Sequence, residues 1–187
     1  SDKNILTSGL DRVKNRVLTK NGGMPSQVDK RPFKVGENLA ITEGQVIWKN
    51  EMLELIQYAP KTDKVHRTPI LIIPPQINKY YAMDLSPMTS MVQFLLAMEQ
   101  QTFVVSWRNP KREHRDWGMQ EYIDSLIQAS EVVRKVTKSK KINVSGACSG
   151  GITTATLASL LAAAGDDRIN SITFMVCVLN PQKEDSE

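Results

Sequence analysis

The residue whose type and neighbours most clearly indicate chemistry is Cys148. It lies in the sequence Gly146-Ala147-Cys148-Ser149-Gly150-Gly151, which matches the Gly-x-nucleophile-x-Gly pattern of a nucleophile elbow with cysteine as the nucleophile. In such an elbow the nucleophile lies on a sharp turn, and a side chain two residues before or after it would collide with the neighbouring strand or helix. Gly146 and Gly150 occupy these two positions, and Gly151 lets the following helix pack more closely.

The predicted turn also places the thiol where its reactive form is stabilised. A residue at a helix N-terminus faces unpaired N–H groups and the positive end of the helix dipole, which favour a thiolate. The N–H of Ser149 is expected to point at an oxyanion formed on a substrate carbonyl. The alternative interpretation is a buried structural cysteine in a tight strand-to-helix turn, but the alternation of strands and helices around this sequence favours the elbow.

A second hydrogen-bond donor for the oxyanion is predicted after the buried run 70–73. That run is followed by Pro74 and Pro75, which keep the backbone extended, and then by Gln76 and Ile77. In an α/β-hydrolase the loop at this place supplies the second N–H of the oxyanion hole. We therefore expect the N–H of Gln76 or Ile77 to aim at the site, with an ordinary structured loop as the alternative.

The elements that must position these residues follow from hydrophobic periodicity. Two alternating runs separated by Asn50-Glu51 predict a β-hairpin over residues 45–58. The other predicted elements are a strand at 70–73, a helix at 88–100 with Met91, Phe94, Leu95 and Met98 on one side, a strand at 102–107, a helix at 116–137 capped by Asp116, a strand at 142–145, a helix at 152–164 and a strand at 172–179. This alternation predicts an α/β fold, with a mostly parallel sheet covered by helices on both faces.

The excess of basic residues is confined to the start of the chain. Residues 1–35 hold eight basic and three acidic side chains, whereas the rest of the chain holds sixteen basic and seventeen acidic ones. A basic segment can attract lipid, nucleic acid or the phosphates of a thioester substrate, but a solvated helix face is the preferred interpretation. We therefore divide the chain into a basic N-terminal helix and extended segment, residues 1–44, and a catalytic core, residues 45–187, and expect no nucleic-acid partner.

The composition argues against several other classes of protein. Hydrophobic residues make up 41% of the chain and charged residues 24%, as in ordinary globular proteins. No apolar run approaches the roughly 20 residues of a transmembrane helix, and the first residues lack the pattern of a signal peptide. We expect a cytoplasmic protein with no transmembrane segment. Its two cysteines and two histidines do not have the spacing of a disulfide framework or a zinc site, so no metal is expected.

Four further residues are given structural interpretations. His66 and His114 lie among charged residues and are expected to be solvated loop residues. Cys177 lies in an apolar run and is expected in the core. Trp107 ends a predicted strand, where it either shapes a substrate channel or, preferably, anchors the loop that follows it.

The chain resembles poly(3-hydroxyalkanoate) synthases from about residue 20 to about residue 180. The matching motifs are Gly22-Gly23-Met24-Pro25-Ser26-Gln27-Val28-Asp29, Phe33-x-Val35-Gly36-x-Asn38-Leu39-Ala40, Glu54-Leu55-Ile56-Gln57-Tyr58, Pro74-Pro75-Gln76-Ile77-Asn78-Lys79-Tyr80-Tyr81 with Asp84-Leu85-Ser86-Pro87, Ser106-Trp107-Arg108-Asn109-Pro110, and the elbow itself, continued by Ile152-Thr153. They occur in the expected order.

This resemblance implies a partial α/β-hydrolase core that polymerises 3-hydroxyacyl-CoA into a polyester and releases CoA. It implies a covalent thioester on Cys148 and no metal or organic cofactor, and a thiolate suits this task because it exchanges with a thioester at little thermodynamic cost. The implied partners are the growing polyester chain, the surface of a polyester granule and, for the full-length protein, a second copy in a homodimer.

The chain departs from the family after the elbow. The family uses a histidine oriented by an aspartate, and both follow the nucleophile in an α/β-hydrolase. No histidine follows Cys148 here, and Asp166, Asp167 and Asp185 come too early. We therefore interpret the chain as an N-terminal fragment, incomplete at its C-terminal side and expected to be inactive alone. A thioesterase or depolymerase of the same fold, or a non-catalytic granule-binding fragment, are the alternatives.

Overall fold

The structure is a computed structural model that describes residues 32–180. The predicted N-terminal helix lies outside these residues, and the predicted division of the chain at residue 44 stays a prediction. The elements below belong to the compact unit that begins at Val35. Its strands are β1 Gly44–Lys49, β2 Leu53–Tyr58, β3 Ile70–Ile73, β4 Thr102–Trp107, β5 Ile142–Ala147 and β6 Ile169–Met175, and its α-helices are α1 Met91–Ala97, α2 Met119–Thr137 and α3 Ser149–Ala163.

The strands form one mixed sheet in the order β1-β2-β4-β3-β5-β6. The first two strands form the predicted antiparallel hairpin, and β2 also pairs antiparallel with β4. The pairs β3–β4, β3–β5 and β5–β6 are parallel, so their carboxyl ends lie at one edge of the sheet. This topology places the end of β3 directly beside the end of β5, where the two halves of the predicted oxyanion hole begin.

Helices cover both faces of the sheet at β3, whose alternate residues point to opposite faces. Leu71 and Ile73 of β3 pack in a large core cluster with residues of α2 and α3. Ile72 packs in a second cluster, which includes Val92 and Leu96 of α1. The continuous apolar run of β3 thus contributes side chains to both core clusters, as expected for a strand buried on both faces. Within residues 32–180, no helix is both long and apolar enough to cross a membrane.

Two predicted helices begin later than expected. Helix α2 begins at Met119 rather than at Asp116, because Gly118 is extended and its N–H donates to Glu121 Oε2 at 2.7 Å. Helix α1 begins after Ser90, whose Oγ accepts the N–H of Gln93 at 2.9 Å.

The buried residues of α1 are not the four apolar residues predicted to share one side of this helix. Val92 and Leu96 are buried, whereas Phe94 and Met98 are exposed. The segment is apolar all round, so its periodicity alone did not select the face that packs on the sheet.

The last strand begins and ends earlier than predicted, at Ile169 and Met175 instead of residues 172–179. Its length is set by its partner, because it pairs with β5 from Ile142 to Ala147. Beyond that point Val176 has a φ of 46°, which ends the extended conformation. The β-branched apolar residues that follow favoured a longer strand, but they have no strand to pair with in the described residues.

Arg168 ties the turn between α3 and β6 to helix α2. Its guanidinium donates to Asp166 Oδ2 and to Ser130 Oγ, the latter at 3.0 Å. The hydrogen bond from Arg168 is the main cause that lowers the pKa of Asp166 below its ordinary value. The charged form of Asp166 therefore stabilises the fold.

We predict that Asp166→Asn lowers the free energy of unfolding by about 1 kcal/mol at pH 7. Because the pKa of Asp166 is lower in the folded chain than its ordinary value of 3.8, this contribution is present above that ordinary value and is lost as the pH falls through the folded pKa. Urea unfolding of both proteins between pH 7 and pH 3 measures the difference.

The matched control is Asp167→Asn. Its carboxylate is 89% exposed and lies 3.3 Å from Lys141 Nζ, so its loss should change stability little at any pH. Equal effects of the two substitutions at pH 7, or a difference between them that is as large at pH 3 as at pH 7, would contradict the role given to Asp166.

Candidate active site

The strand β5 turns into helix α3 at Cys148 within a single residue. Cys148 has φ 51° and ψ −121°, in the region of positive φ that residues other than glycine rarely adopt. The turn is held by the N–H of Cys148, which donates to the carbonyl of Met175 at 2.9 Å, and by the N–H of Gly151, which donates to the carbonyl of Cys148 at 2.9 Å. The strained conformation leaves the thiol exposed at the carboxyl ends of the parallel strands, where α/β sheets bind their ligands.

Gly150 is the point at which helix α3 touches the end of β3. A Cβ at this position would overlap the carbonyl oxygen of Ile73 and would lie 2.7 Å from that of Pro74. Both are backbone atoms, so neither can move aside without displacing the strand. Only glycine lets the elbow approach the loop after β3 this closely.

The other two elbow glycines also lie where a side chain has no room. A Cβ at Gly146 would overlap Thr154 Oγ1 and would lie 2.8 Å from the carbonyl oxygen of Gly150. A Cβ at Gly151 would overlap the sulfur of Cys177. Cys177 is thus packed against the elbow, but it is half-buried rather than a full core residue as predicted, because β6 ends before reaching it.

The loop after β3 presents backbone donors beside the elbow. Pro74 and Pro75 are buried, Gln76 is half-buried, and Ile77 is 86% exposed. The N–H of Asn78 donates to the carbonyl of Pro75 at 3.1 Å, which closes a turn. Within residues 32–180, the N–H groups of Gln76 and Ile77 have no hydrogen-bond acceptor, and neither has that of Ser149. Donors from both predicted halves of the oxyanion hole are therefore available.

The side chain of Gln76 connects this loop to the elbow. Its Oε1 accepts the hydroxyl of Ser149 at 2.7 Å, and its Nε2 donates to Thr153 Oγ1 at 3.4 Å. Only the backbone N–H of Gln76 was predicted to act at the site. The contact joins residues more than 70 positions apart, so no local spacing pattern could have indicated it.

Trp107 holds the same loop from the core side. Its buried indole Nε1 donates to the carbonyl of Pro74 at 2.7 Å, and its ring packs edge-on against Tyr122 with ring centroids 5.3 Å apart. The preferred interpretation of Trp107 was an anchor for the loop that follows it. In the structure its indole instead anchors the loop after β3, because β3 and β4 are adjacent parallel strands.

His66 lies away from the thiol, and His114 makes contacts with other residues. His66 is exposed and precedes β3, at the opposite edge of the sheet from Cys148. His114 was predicted to be solvated, which is wrong: it is 6% exposed, its Nδ1 accepts the N–H of Lys111 at 3.0 Å, and its ring stacks on Trp117 at 4.0 Å. The charged residues next to His114 favoured an exposed position. Its stacking partner, Trp117, lies three residues further along the chain.

Comparison with known proteins shows the family of this chain. The model of the family described as poly-beta-hydroxybutyrate polymerase (PhaC) N-terminus matches residues 1–95. The chain belongs to this family. Poly(3-hydroxyalkanoate) polymerase 1 of Ectopseudomonas oleovorans is 49% identical over 173 residues, which are 91% of this chain and 31% of that protein. The polymerase subunit PhaC of Cupriavidus necator is 41% identical over 90% of this chain and 29% of its own length. The chain thus spans about 30% of the length of these polymerases.

Solved structures confirm the predicted fold class. An esterase from Rhizomucor miehei matches 95% of this chain and 54% of its own chain, with a TM-score of 0.58 and 13% identity. An α/β hydrolase from the metagenome of Lake Arreo, Spain, matches 74% of this chain and 44% of its own, with a TM-score of 0.55 and 14% identity. This chain of the polymerase family therefore has an α/β-hydrolase fold.

We predict that Gly150→Ala lowers the free energy of unfolding by about 3 kcal/mol, because the added methyl group would meet two backbone carbonyls. The control is Gly118→Ala, where the new Cβ would meet only the flexible carboxylate of Glu121 at 3.4 Å and should cost under about 1 kcal/mol. Urea unfolding measures both. Equal costs would mean that the close approach at Gly150 is not required.

We predict that Trp107→Phe costs about 1–3 kcal/mol, because it leaves the buried carbonyl of Pro74 without its donor. Hydrogen exchange of the Asn78 amide, whose N–H donates to the carbonyl of Pro75, should also become faster. Trp48→Phe is the control, since Trp48 is half-buried against the same core cluster and its indole has no hydrogen bond within residues 32–180. An Asn78 amide that exchanges at an unchanged rate in Trp107→Phe would contradict the anchoring role.

Proposed function

We propose that Cys148 accepts the acyl group of a 3-hydroxyacyl-CoA as a covalent thioester, the first step of polyester synthesis. The observation that carries the proposal is the strained, exposed cysteine at the start of α3. The adjoining N–H of Ser149 and the N–H groups of Gln76 and Ile77 have no acceptor within residues 32–180, which supports it. Membership of the polymerase family supplies the substrate class, because the relatives are named poly(3-hydroxyalkanoate) polymerases.

In the first step the Cys148 thiolate attacks the carbonyl carbon of the thioester. The carbonyl electrons move to oxygen, and the resulting oxyanion accepts the N–H of Ser149 and that of Gln76 or Ile77. Collapse of this intermediate breaks the bond to the CoA sulfur, and CoA leaves as a thiolate that takes up the proton lost by Cys148. One thioester is exchanged for another, so the energy needed for polymerisation is kept.

In the second step the hydroxyl of another acyl group attacks the thioester on Cys148. An oxygen ester forms, the bond to Cys148 breaks, and the thiol is regenerated. The hydroxyl must lose its proton to a base. Family resemblance assigns that task to a histidine after the nucleophile, and no residue after Cys148 in this chain is a histidine. We therefore propose that this chain alone can be acylated but does not turn over.

The partners of the whole protein follow from the same resemblance. We propose the growing polyester chain as acceptor, the surface of a polyester granule in the cytoplasm as the place of action, and a homodimer as the full-length assembly. No cofactor enters the proposed steps.

The test is the intact mass of the chain after incubation with a 3-hydroxyacyl-CoA at pH 7 to 9. We predict one acyl adduct, located by peptide mass at Cys148, the exposed cysteine at the start of α3. CoA and adduct should appear in equal amounts, without polymer.

Two variants serve as controls, with folding checked by circular dichroism. Cys148→Ser should form no adduct, whereas Cys177→Ser should react like the parent chain, since Cys177 lies behind Gly151. Acylation of Cys177 at the same rate, or a folded chain with no adduct even at pH 9, would contradict the proposal. Steady release of free hydroxy acid would instead indicate a thioesterase.

A further inference from the structure

A cleft of about 280 Å³ opens beside Ser149, the residue that follows the candidate nucleophile. It lies between the loop after β3, the start of α2 and the first turns of α3. One wall is polar and is formed by Gln76, Ser149 and Thr153. The other walls are mainly apolar and include Trp117, Met119, Tyr122 and Ile152.

The chemistry of the walls favours a hydrocarbon ligand. The polar groups bond to one another, since the Ser149 hydroxyl donates to Gln76 Oε1 and Gln76 Nε2 donates to Thr153 Oγ1. They therefore offer little to a polar ligand. At the rim, Met119 is 45% exposed and Ile152 is 43% exposed, which leaves apolar surface that an alkyl chain would cover favourably.

The walls are fixed before any ligand binds. Trp117 is held by the parallel stack with the buried ring of His114, at 4.0 Å and an interplanar angle of 7°. Tyr122 is held by the edge-on contact with Trp107, whose indole also anchors the loop after β3. A cleft with rigid aromatic walls loses little entropy on binding and can distinguish ligands by size.

We propose that this cleft binds the alkyl side chain of the acyl group carried by Cys148 and thereby sets the preferred chain length. The inference rests on the proposed function for the identity of the acyl group. It assigns Ile152, Met119, Tyr122 and Trp117 as the residues that determine specificity. An alkyl chain that enters the cleft lies along the first turn of α3, next to the residue that the acyl group modifies.

The test uses a series of alkyl methanethiosulfonates from methyl to hexyl. The Cys148 thiolate attacks the sulfur that bears the alkyl group, a disulfide forms, and methanesulfinate leaves with the electrons of the broken bond. We predict that the second-order rate constant at Cys148 rises about two- to fourfold for each added methylene, approaching the effect of full burial in a closed site, and levels off once the cleft is filled.

Ile152→Ser and Leu160→Ser form a matched pair, because both residues lie on α3 and are 43% and 45% exposed. We predict that Ile152→Ser at least halves the increment per methylene at Cys148, measured relative to the rate of the same variant with the methyl reagent. Leu160→Ser should leave this increment as it is in the parent chain, because Leu160 lies outside the cleft. Cys177 in the same chain provides an internal control, quantified separately by peptide mass.

Equal rates for the methyl and hexyl reagents at Cys148 would overturn the proposal, and would be expected if the cleft seats a protein segment instead. A rise of the same size at Cys177, or an equal effect of the two serine variants, would also overturn it. The thiosulfonates transfer no acyl group and involve no CoA. Acylation by a CoA thioester can therefore fail while the chain-length effect stands, which would reject the proposed function alone. Acylation without any chain-length effect would reject only the role given to the cleft.

Discussion

The whole site depends on how closely the start of helix α3 approaches the end of strand β3. At Gly150 the two backbones meet with no room for a side chain against the carbonyls of Ile73 and Pro74. This contact brings Ser149 and the loop after β3 together, and the hydroxyl of Ser149 donates to Gln76 Oε1 in that loop. The predicted oxyanion hole needs a donor from each of the two elements, so it depends on the absence of a side chain at Gly150.

Two side chains hold the loop after β3 in this contact. Trp107 donates to the carbonyl of Pro74 from the core, and the side chain of Gln76 connects the loop to Ser149 and Thr153 from the surface. The loop is thus held on both sides without using its own N–H groups of Gln76 and Ile77, which remain available for a ligand. The strained backbone of Cys148 is also held on both sides, by the hydrogen bonds of its own N–H and of its own carbonyl.

Sequence reasoning recovered the parts of this arrangement that depend on local chemistry. The elbow, the run β3 with its prolines and the alternation of strands and helices all follow from residue type and spacing. Contacts between distant residues could not be predicted: the indole of Trp107 anchors the neighbouring strand's loop, and His114 is buried only because Trp117 folds back on it. The last strand was misplaced because its end is set by pairing with β5, which apolar character alone does not reveal.

The most direct test of this account is a crystal structure of the chain acylated at Cys148. We predict that the acyl oxygen lies about 3 Å from the N–H of Ser149 and from that of Gln76 or Ile77, with the loop held by Trp107 as described. An acyl oxygen that points to solvent, with those N–H groups turned away or bonded elsewhere, would contradict the claim that the two elements form a single site.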